Sequence, residues 1–344
     1  MRTLLVVPQS YHEEDSRRAD RARSIVAGAT TRGHELEVAT NKWWDQHTAI
    51  HHDRWTTHHA IGRSGRSTSG FARVLRRYDP DVIHLVDTPA TSVLTAALAA
   101  DAPVVYEANG FDSPLVQHRR FRQLDHRIAS IVVPTEVVHT ALLEAGVDRQ
   151  IHRIPDPIDL DLIRSVTPAD STDIVWSARS LDRAYLEDLL LALAERRHRA
   201  WTATLLVGEA EVDRARTAAE SYDLGGHVVV RAGVTRRERL AMYRGATTFV
   251  HTADDCAFAT ELLWAMAAGC VGLVHMRPRS SAHELVQKHD RGIRVSSPEE
   301  LVDGLDQATQ LETATIDPTF APFDIDHIVD RLTGVYRSVL NPTG

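Results

Sequence analysis

Only two cysteines occur in the chain, Cys256 and Cys270, and both fall in or just after one expected helix. That excludes a disulfide scaffold and is compatible with a reducing cytoplasm. Lysine is as scarce, at Lys42 and Lys288 alone, so arginine supplies nearly all the positive charge; with a net charge of −8 there is no global reason to expect a nucleic-acid partner. No unbroken apolar run approaches the ~20 residues that a membrane helix needs. The opening Met1–Pro8 is basic and briefly apolar, but no long apolar region or cleavage site follows, so it reads as a first strand rather than a leader. His47, His51, His52, His58 and His59, interleaved with Trp43, Trp44 and Trp55, have no cysteine or carboxylate at a recognisable metal spacing. On a helix His47 and His51 would share a face. The plainer reading is a loop whose aromatics pack locally, and no metal site is expected.

What is present is a soluble, globular composition, 43% hydrophobic over 344 residues, too long for one ordinary core and suited to two domains. Short buried strands alternate with amphipathic helices through both halves, which predicts an α/β chain with doubly wound, mainly parallel sheets. The stretch Thr252–Val274 is the most informative. A strand ends at His251, a polar elbow Ala253–Ala259 follows, and Leu262, Leu263, Met266 and Ala267 recur at helical spacing until Gly269.

That segment resembles the donor-binding signature of GT-B glycosyltransferases, family 4 in particular, in which a loop glutamate is followed eight positions later by a second in Leu-Leu-Glu-Ala-Met-Ala-x-Gly. Leu262–Gly269 keeps the frame with Trp264 at the second glutamate, and eight positions back stands Cys256. The resemblance extends in order along most of the chain. Arg32-Gly-His-Glu-Leu-Glu-Val38, Asp79-Pro-Asp-Val-Ile-His84, Val133-Pro-Thr135 and Ile154-Pro-Asp-Pro-Ile-Asp159 match phrases of the first domain. Ala178-Arg-Ser-Leu181, Gly233 to Tyr243 and Ser280-Ser-Ala-His-Glu-Leu-Val286 match phrases of the second.

The resemblance implies a GT-B fold, two Rossmann-like domains facing across a cleft: an acceptor-side domain over 1–167, a donor-side domain over 168–323, and a helix over 324–344 packing back on the first. It implies transfer of a sugar from a nucleotide-diphosphate sugar to a glycan, lipid-linked or small-molecule hydroxyl with retention. Arginines and helix amino-termini would stabilise the leaving diphosphate, without a bound metal or a cofactor beyond that co-substrate. Carried over residue by residue, it places Arg179, and Arg183 beside the vacated lysine position Ala184, at the diphosphate, with Ser280, Ser281 and Glu284 in the donor loop. Asn109 stands where the family often has a histidine near the donor sugar; it can hydrogen-bond a hydroxyl but cannot act as a base.

Asp255 and Glu261 are the acids nearest the two vacated glutamates, Asp255 on the sugar side and Glu261, with Trp264, on the ribose side. Each has a plain structural reading beside it: Asp255 or Glu284 capping a helix, Glu261 favouring a first turn. The second functional reading is a non-catalytic GT-B protein that binds a nucleotide sugar or a partner glycosyltransferase. The basic stretch 117–127 reads either as a peripheral contact with an anionic membrane face or as an ordinary solvated helix face. The expected location is the cytoplasm, or the inner face of its membrane.

Overall fold

The computed structural model describes residues 1–7, 11, 16–45, 47–62, 68–118, 121, 124–170, 172–181 and 185–341. The chain falls into two compact units, Met1–Pro157 with Phe323–Gly344, and Ile158–Pro322.

In the first unit β1 (Arg2–Val7), β2 (Glu35–Asn41), β3 (Ile50–His52), β4 (Thr57–Gly62), β5 (Val82–Val86), β6 (Val104–Glu107), β7 (Ser130–Val133) and β8 (Ile151–Arg153) form one sheet in the order β3-β4-β2-β1-β5-β6-β7-β8. Every neighbouring pair is parallel except the β3–β4 edge. Leu4 to Val7 are buried on both faces, as a parallel sheet covered by helices requires. The connecting helix α1 (Arg17–Thr31) begins where the Ser16 hydroxyl accepts from the amide of Ala19, and its Ala22, Ile25, Val26 and Ala29 face the sheet.

The last helix of the chain, Ile325–Leu340, packs on α1 through Ile328, Val329, Leu332, Val335 and Tyr336. Gly28 permits the close approach, since a Cβ there would lie 2.5 Å from Ile325 Cγ1. Burial of this apolar stripe attaches the helix to the first unit, and the Tyr336 hydroxyl meets His84 Nδ1 at 2.7 Å. The region 41–62, read from sequence as a loop, supplies the short β3 and the six-residue β4, whose burial does not follow a clean alternation. There Trp43 and Trp44 pack edge-on and stacked against His51 at 4.8 and 5.5 Å.

The second unit is a six-stranded, wholly parallel sheet in the order β11-β10-β9-β12-β14-β16. Its strands are β9 (Thr172–Ala178), β10 (Ala203–Val207), β11 (Val228–Arg231), β12 (Ala246–His251), β14 (Val271–His275) and β16 (Gly292–Val295), with a two-stranded appendage of β13 (Asp255–Cys256) and β15 (Arg279–Ser280). The elbow signature thus becomes strand β12, a loop with β13, a helix over Thr260–Ala267 and strand β14.

The sequence put the junction after 167; the structure puts it after Pro157. The helix Leu160–Ser165 between those points belongs to the second unit, because Arg237 donates to Ser165 Oγ at 3.3 Å and Arg244 donates to the carbonyl of Val166. Among the described residues no helix is long and apolar enough to cross a membrane. Arg119, Arg120, Arg122 and Gln123 of the basic 117–127 stretch lie outside the described residues.

Candidate functional site

In the six-stranded sheet the winding reverses between β9 and β12, and ligands of such sheets bind outside the carboxyl ends of the strands at that point. Arg179 leaves the end of β9. Gly208, after β10, lies so close that a Cβ would sit 2.6 Å from the Arg179 carbonyl oxygen, so glycine is required for the two loops to meet. Thr252 leaves the end of β12, its hydroxyl accepting from Trp176 Nε1 at 2.9 Å in the core.

The elbow beyond Thr252 is stitched to the loop after β14. Asp255 aligns with Arg279 and Cys256 with Ser280. The Ser281 amide donates to Cys256 O and its hydroxyl to Ala257 O, both at 2.9 Å, while Ser280 Oγ stands 3.4 Å from His251 Nε2. Both serine side chains are therefore turned inward, holding the elbow in shape. Glu284, on the short helix Ala282–Val286, is half-buried, its amide donating to Ser281 O at 2.9 Å. Burial pushes the His251 imidazole down to about 4, so it is neutral here. Arg183 lies outside the described residues.

Two acids stand side by side on the elbow with different surroundings. The Asp255 carboxylate accepts from Arg279 at 3.0 and 3.3 Å. Asp254 Oδ1 is enclosed and has no hydrogen-bond partner. A buried acceptor in a loop at the sheet's switch point can take a hydrogen bond from a ligand hydroxyl or a water. Sequence reading ranked Asp255 ahead, because it adjoins the position of the missing glutamate.

Glu261 and Trp264 sit one turn apart on the helix Thr260–Ala267, against the helix Arg236–Gly245. Glu261 is already engaged: Oε1 accepts from Arg239 at 3.0 Å and Oε2 from the Tyr243 hydroxyl at 2.5 Å. Burial, reinforced by that carboxylate, raises the Tyr243 hydroxyl well above its ordinary range, so it remains a donor. Trp264 is 4% exposed, with the Arg236 guanidinium 5.1 Å above its ring and its Nε1 unpartnered. The cavity bounded by Arg236, Arg239, Leu240, Tyr243, Glu261 and Trp264 offers water centres about 10 Å³. That is at the lower limit for one water molecule, far short of a ribose. The buried indole occupies the space beside Glu261.

Asn109 is in the first unit, past the end of β6 and fully buried. Its Nδ2 donates to Glu107 Oε1 at 2.8 Å, its amide to Asp87 Oδ1 at 3.2 Å, and its carbonyl accepts from Arg17. Around it lies a lattice that sequence reading missed. Arg21 Nε donates to Glu107 at 3.0 Å and Nη1 to Asp156 at 3.2 Å, Arg17 reaches Asp156 at 2.9 Å, and Arg18 pairs with Asp87 at 2.7 Å and Asp112 at 2.5 Å. Burial alone would raise the Glu107 carboxyl; the Arg21 guanidinium and the His84 ring outweigh it and hold the group well below the carboxylate range. At Asp87 burial wins over Arg18, and the pKa is raised. The available signal was the run Arg17-Arg18-x-x-Arg21 opening a helix before strands that end in acids. Among the described residues no cluster of three or more histidine, cysteine, aspartate or glutamate side chains could hold a metal ion.

Residues 21–162 match the family described as Glycosyltransferase Family 4, and residues 161–315 match Glycosyl transferases group 1. No curated protein matches the chain. Among solved structures, a glycosyltransferase from Rickettsia africae ESF-5 superposes with a TM-score of 0.80 at 14% identity, covering 99% of both chains. The Anabaena protein HepE in complex with UDP superposes at 0.77 with 16% identity, covering 98% of this chain and 100% of that one. A UDP-GlcNAc 2-epimerase from Methanocaldococcus jannaschii shares the fold at 0.62 with 13% identity, covering 97% and 99%. With the two family matches running in succession over its two parallel-sheet units, the chain belongs to the GT-B glycosyltransferases of family 4 and group 1.

Proposed function

We propose that the protein transfers a sugar from a nucleoside-diphosphate sugar to a hydroxyl of a glycan, a lipid-linked glycan or a small molecule, with retention at the anomeric carbon. The observation that carries this reading is the assembly at the switch point of the six-stranded sheet. Arg179 at the end of β9 and the stitched elbow after β12 set a cation and two acids on the edge where this architecture binds ligands. Arg179, with Arg183, neutralises the leaving diphosphate as the anomeric C–O bond breaks. Asp254 and Asp255 supply negative charge beside the carbon that becomes positive, Asp255 oriented by Arg279. The loop holding Ser280, Ser281 and Glu284 shapes the sugar subsite through its backbone.

HepE was solved with UDP, and again with UDP and glucose. Those ligands make a uridine diphosphate sugar the first donor to test. The test is calorimetric titration with UDP, GDP, ADP and dTDP, followed by an assay for release of the bound diphosphate from its sugar conjugates in the presence of hydroxyl acceptors. Tight binding of one diphosphate and acceptor-dependent release support the proposal. Absence of any binding would refute it.

The second reading, a GT-B protein that binds a nucleotide sugar or a partner glycosyltransferase without turnover, is favoured by one observation. Glu261 is tied to Arg239 and Tyr243, and Trp264 occupies the adjoining space. Binding without release would select it. The structural likeness to an epimerase adds that the fold alone does not choose the chemistry.

A further inference from the structure

The loop after β14 carries a guanidinium that neither the resemblance nor the family matches assign. Arg277 lies two residues past His275, on the same carboxyl edge as Arg179 and the elbow. It is held from two sides. Asp188, in the first turn of the helix Leu186–Glu195, accepts from Nη2 at 2.5 Å. The ring of Tyr185, the residue that precedes that helix, lies 4.4 Å from Arg277 Cζ. Tyr185 adopts a left-handed backbone, φ 48°, which L side chains rarely take, so the ring is delivered to the guanidinium at a conformational cost. Asp188 already has a second partner in His275 Nδ1 at 3.2 Å and does not need Arg277 alone. Arg277 Nη2 also stands 3.4 Å from His275 Nδ1 and Nε is enclosed, which leaves Nη1, unbonded and not enclosed, as the amino group open to a ligand on a side chain that is 25% exposed.

A planar cation, clamped by a carboxylate at one amino group and by an aromatic face, with N–H capacity still unused, is preorganised for an oxyanion. The loop that follows β9 has Ala184 and not a lysine, so the chain's own sequence leaves room for a cation from elsewhere. We propose that Arg277 is a diphosphate-binding residue of the donor site, reaching the nucleotide from the loop after β14 while Asp188 and Tyr185 hold it in place. This rests on the donor reading above and adds to it a residue, a direction of approach and a positioning pair.

The test separates the two. With the nucleoside diphosphate that the wild-type chain binds as probe, Arg277→Gln is expected to weaken affinity about tenfold or more, as loss of a charge-assisted hydrogen bond does. The matching nucleoside monophosphate, which lacks the outer phosphate, should lose less affinity than the diphosphate does. Because Arg277→Gln also leaves the Asp188 carboxylate facing the anion, Asp188→Asn and the double variant are measured beside it, with thermal melts confirming that each is folded. If Arg277 touches the diphosphate, the double variant stays as weak as Arg277→Gln, and Asp188→Asn alone, which loosens the guanidinium but leaves it present, weakens binding by less than Arg277→Gln does. Recovery of wild-type affinity in the double variant would overturn the proposal, as would an Arg277→Gln protein that binds the diphosphate unchanged; both leave the donor reading standing. Failure of the wild-type chain to bind any nucleoside diphosphate overturns the donor reading and this proposal together.

Discussion

The carboxyl edges of the two sheets are built from the same residue types and spend them differently. In the first unit the arginines opening α1 are consumed: Arg17, Arg18 and Arg21 meet Asp87, Glu107, Asp112 and Asp156, and the Arg21–Glu107 pair is about 1% exposed on both sides. In the second unit the pairs are shallower, Arg277 with Asp188, which His275 shares, and Arg279 with Asp255. Enclosed polar atoms go unanswered on both edges, at Asn109 Oδ1 and Thr88 Oγ1 in the first unit and at Asp254 Oδ1 and Arg277 Nε in the second. A saturated ion-pair lattice fixes a backbone, since any movement strands a buried charge. Pairs that keep part of their solvation can exchange partners at lower cost. What separates the edges is therefore the depth of their ion pairs, fixed in the first unit and more open to exchange in the second.

The comparison breaks if the lattice can be dismantled cheaply. Arg21→Ala should cost about 3–5 kcal/mol of stability, because Glu107 and part of Asp156 remain buried without their cation. Urea denaturation followed by circular dichroism measures it. A loss below about 1 kcal/mol, the range of exposed pairs, would mean that the lattice is not what holds the edge.

The next effect is read in rate. If the unanswered Asp254 oxygen faces the sugar, Asp254→Asn should lower turnover about 10²–10³-fold, the scale for removing one electrostatic contact to a transition state. Stability should hardly change, since no folded-state partner is lost. Equal turnover would shift the role to Asp255, where sequence reading had put it.

Much of the architecture was legible because it depends on local pattern. The alternation of apolar strands with amphipathic helices, the frame Leu262–Gly269 and the phrase order gave two parallel-sheet units and their family. The site was less legible, because what decides it is which partner a side chain meets. Glu261 could be placed one turn before Trp264, but its engagement by Arg239 and Tyr243 depends on how two helices pack. The hydroxyls of Ser280 and Ser281 look free in sequence and are turned to His251 and Ala257 once β13 pairs with β15. Asn109 looks like a residue at the mouth of a site until Glu107, two positions earlier and on the same strand face, takes its amide. Arg21, Glu107 and Asp156 share no sequence neighbourhood and meet only in the fold.

A third effect distinguishes the edges by pH. His251 is held neutral in the folded state with its pKa lowered to about 4, below the ordinary 6.5. The unfolded chain therefore binds more protons between those values, so stability is intact above about pH 6.5 and is lost as the pH falls toward 4. By pH 5 the loss from this one group is about 2 kcal/mol. His251→Gln should remove that part of the slope, seen as a smaller drop in urea midpoint from pH 7 to pH 5 than wild type shows. Glu107 has the same sign in a lower window: its pKa is depressed in the folded state, so the stability it contributes is present above the ordinary carboxylate range and is lost only at more acid pH. Of these two groups, His251 should give way first on acidification.

The smallest effect concerns Arg279, and it sharpens the contrast with Arg21 because both are arginines bonded to aspartate or glutamate near 3 Å. Arg279 is 56% exposed and its partner Asp255 21%, so water screens the pair and either group keeps most of its solvation when the other is removed. Arg279→Ala should cost under about 1 kcal/mol in the same urea experiment. The β13–β15 pairing should survive, because the Ser281 amide and hydroxyl bonds to Cys256 O and Ala257 O do not involve the guanidinium. What should change is the freedom of Asp255. If that carboxylate acts on the sugar only when oriented, turnover falls with Arg279→Ala while nucleoside-diphosphate affinity does not, and Arg279→Lys restores part of the rate by keeping the charge. A large stability loss would show that the elbow depends on this pair for its fold and that the second unit's edge is a closed lattice like the first.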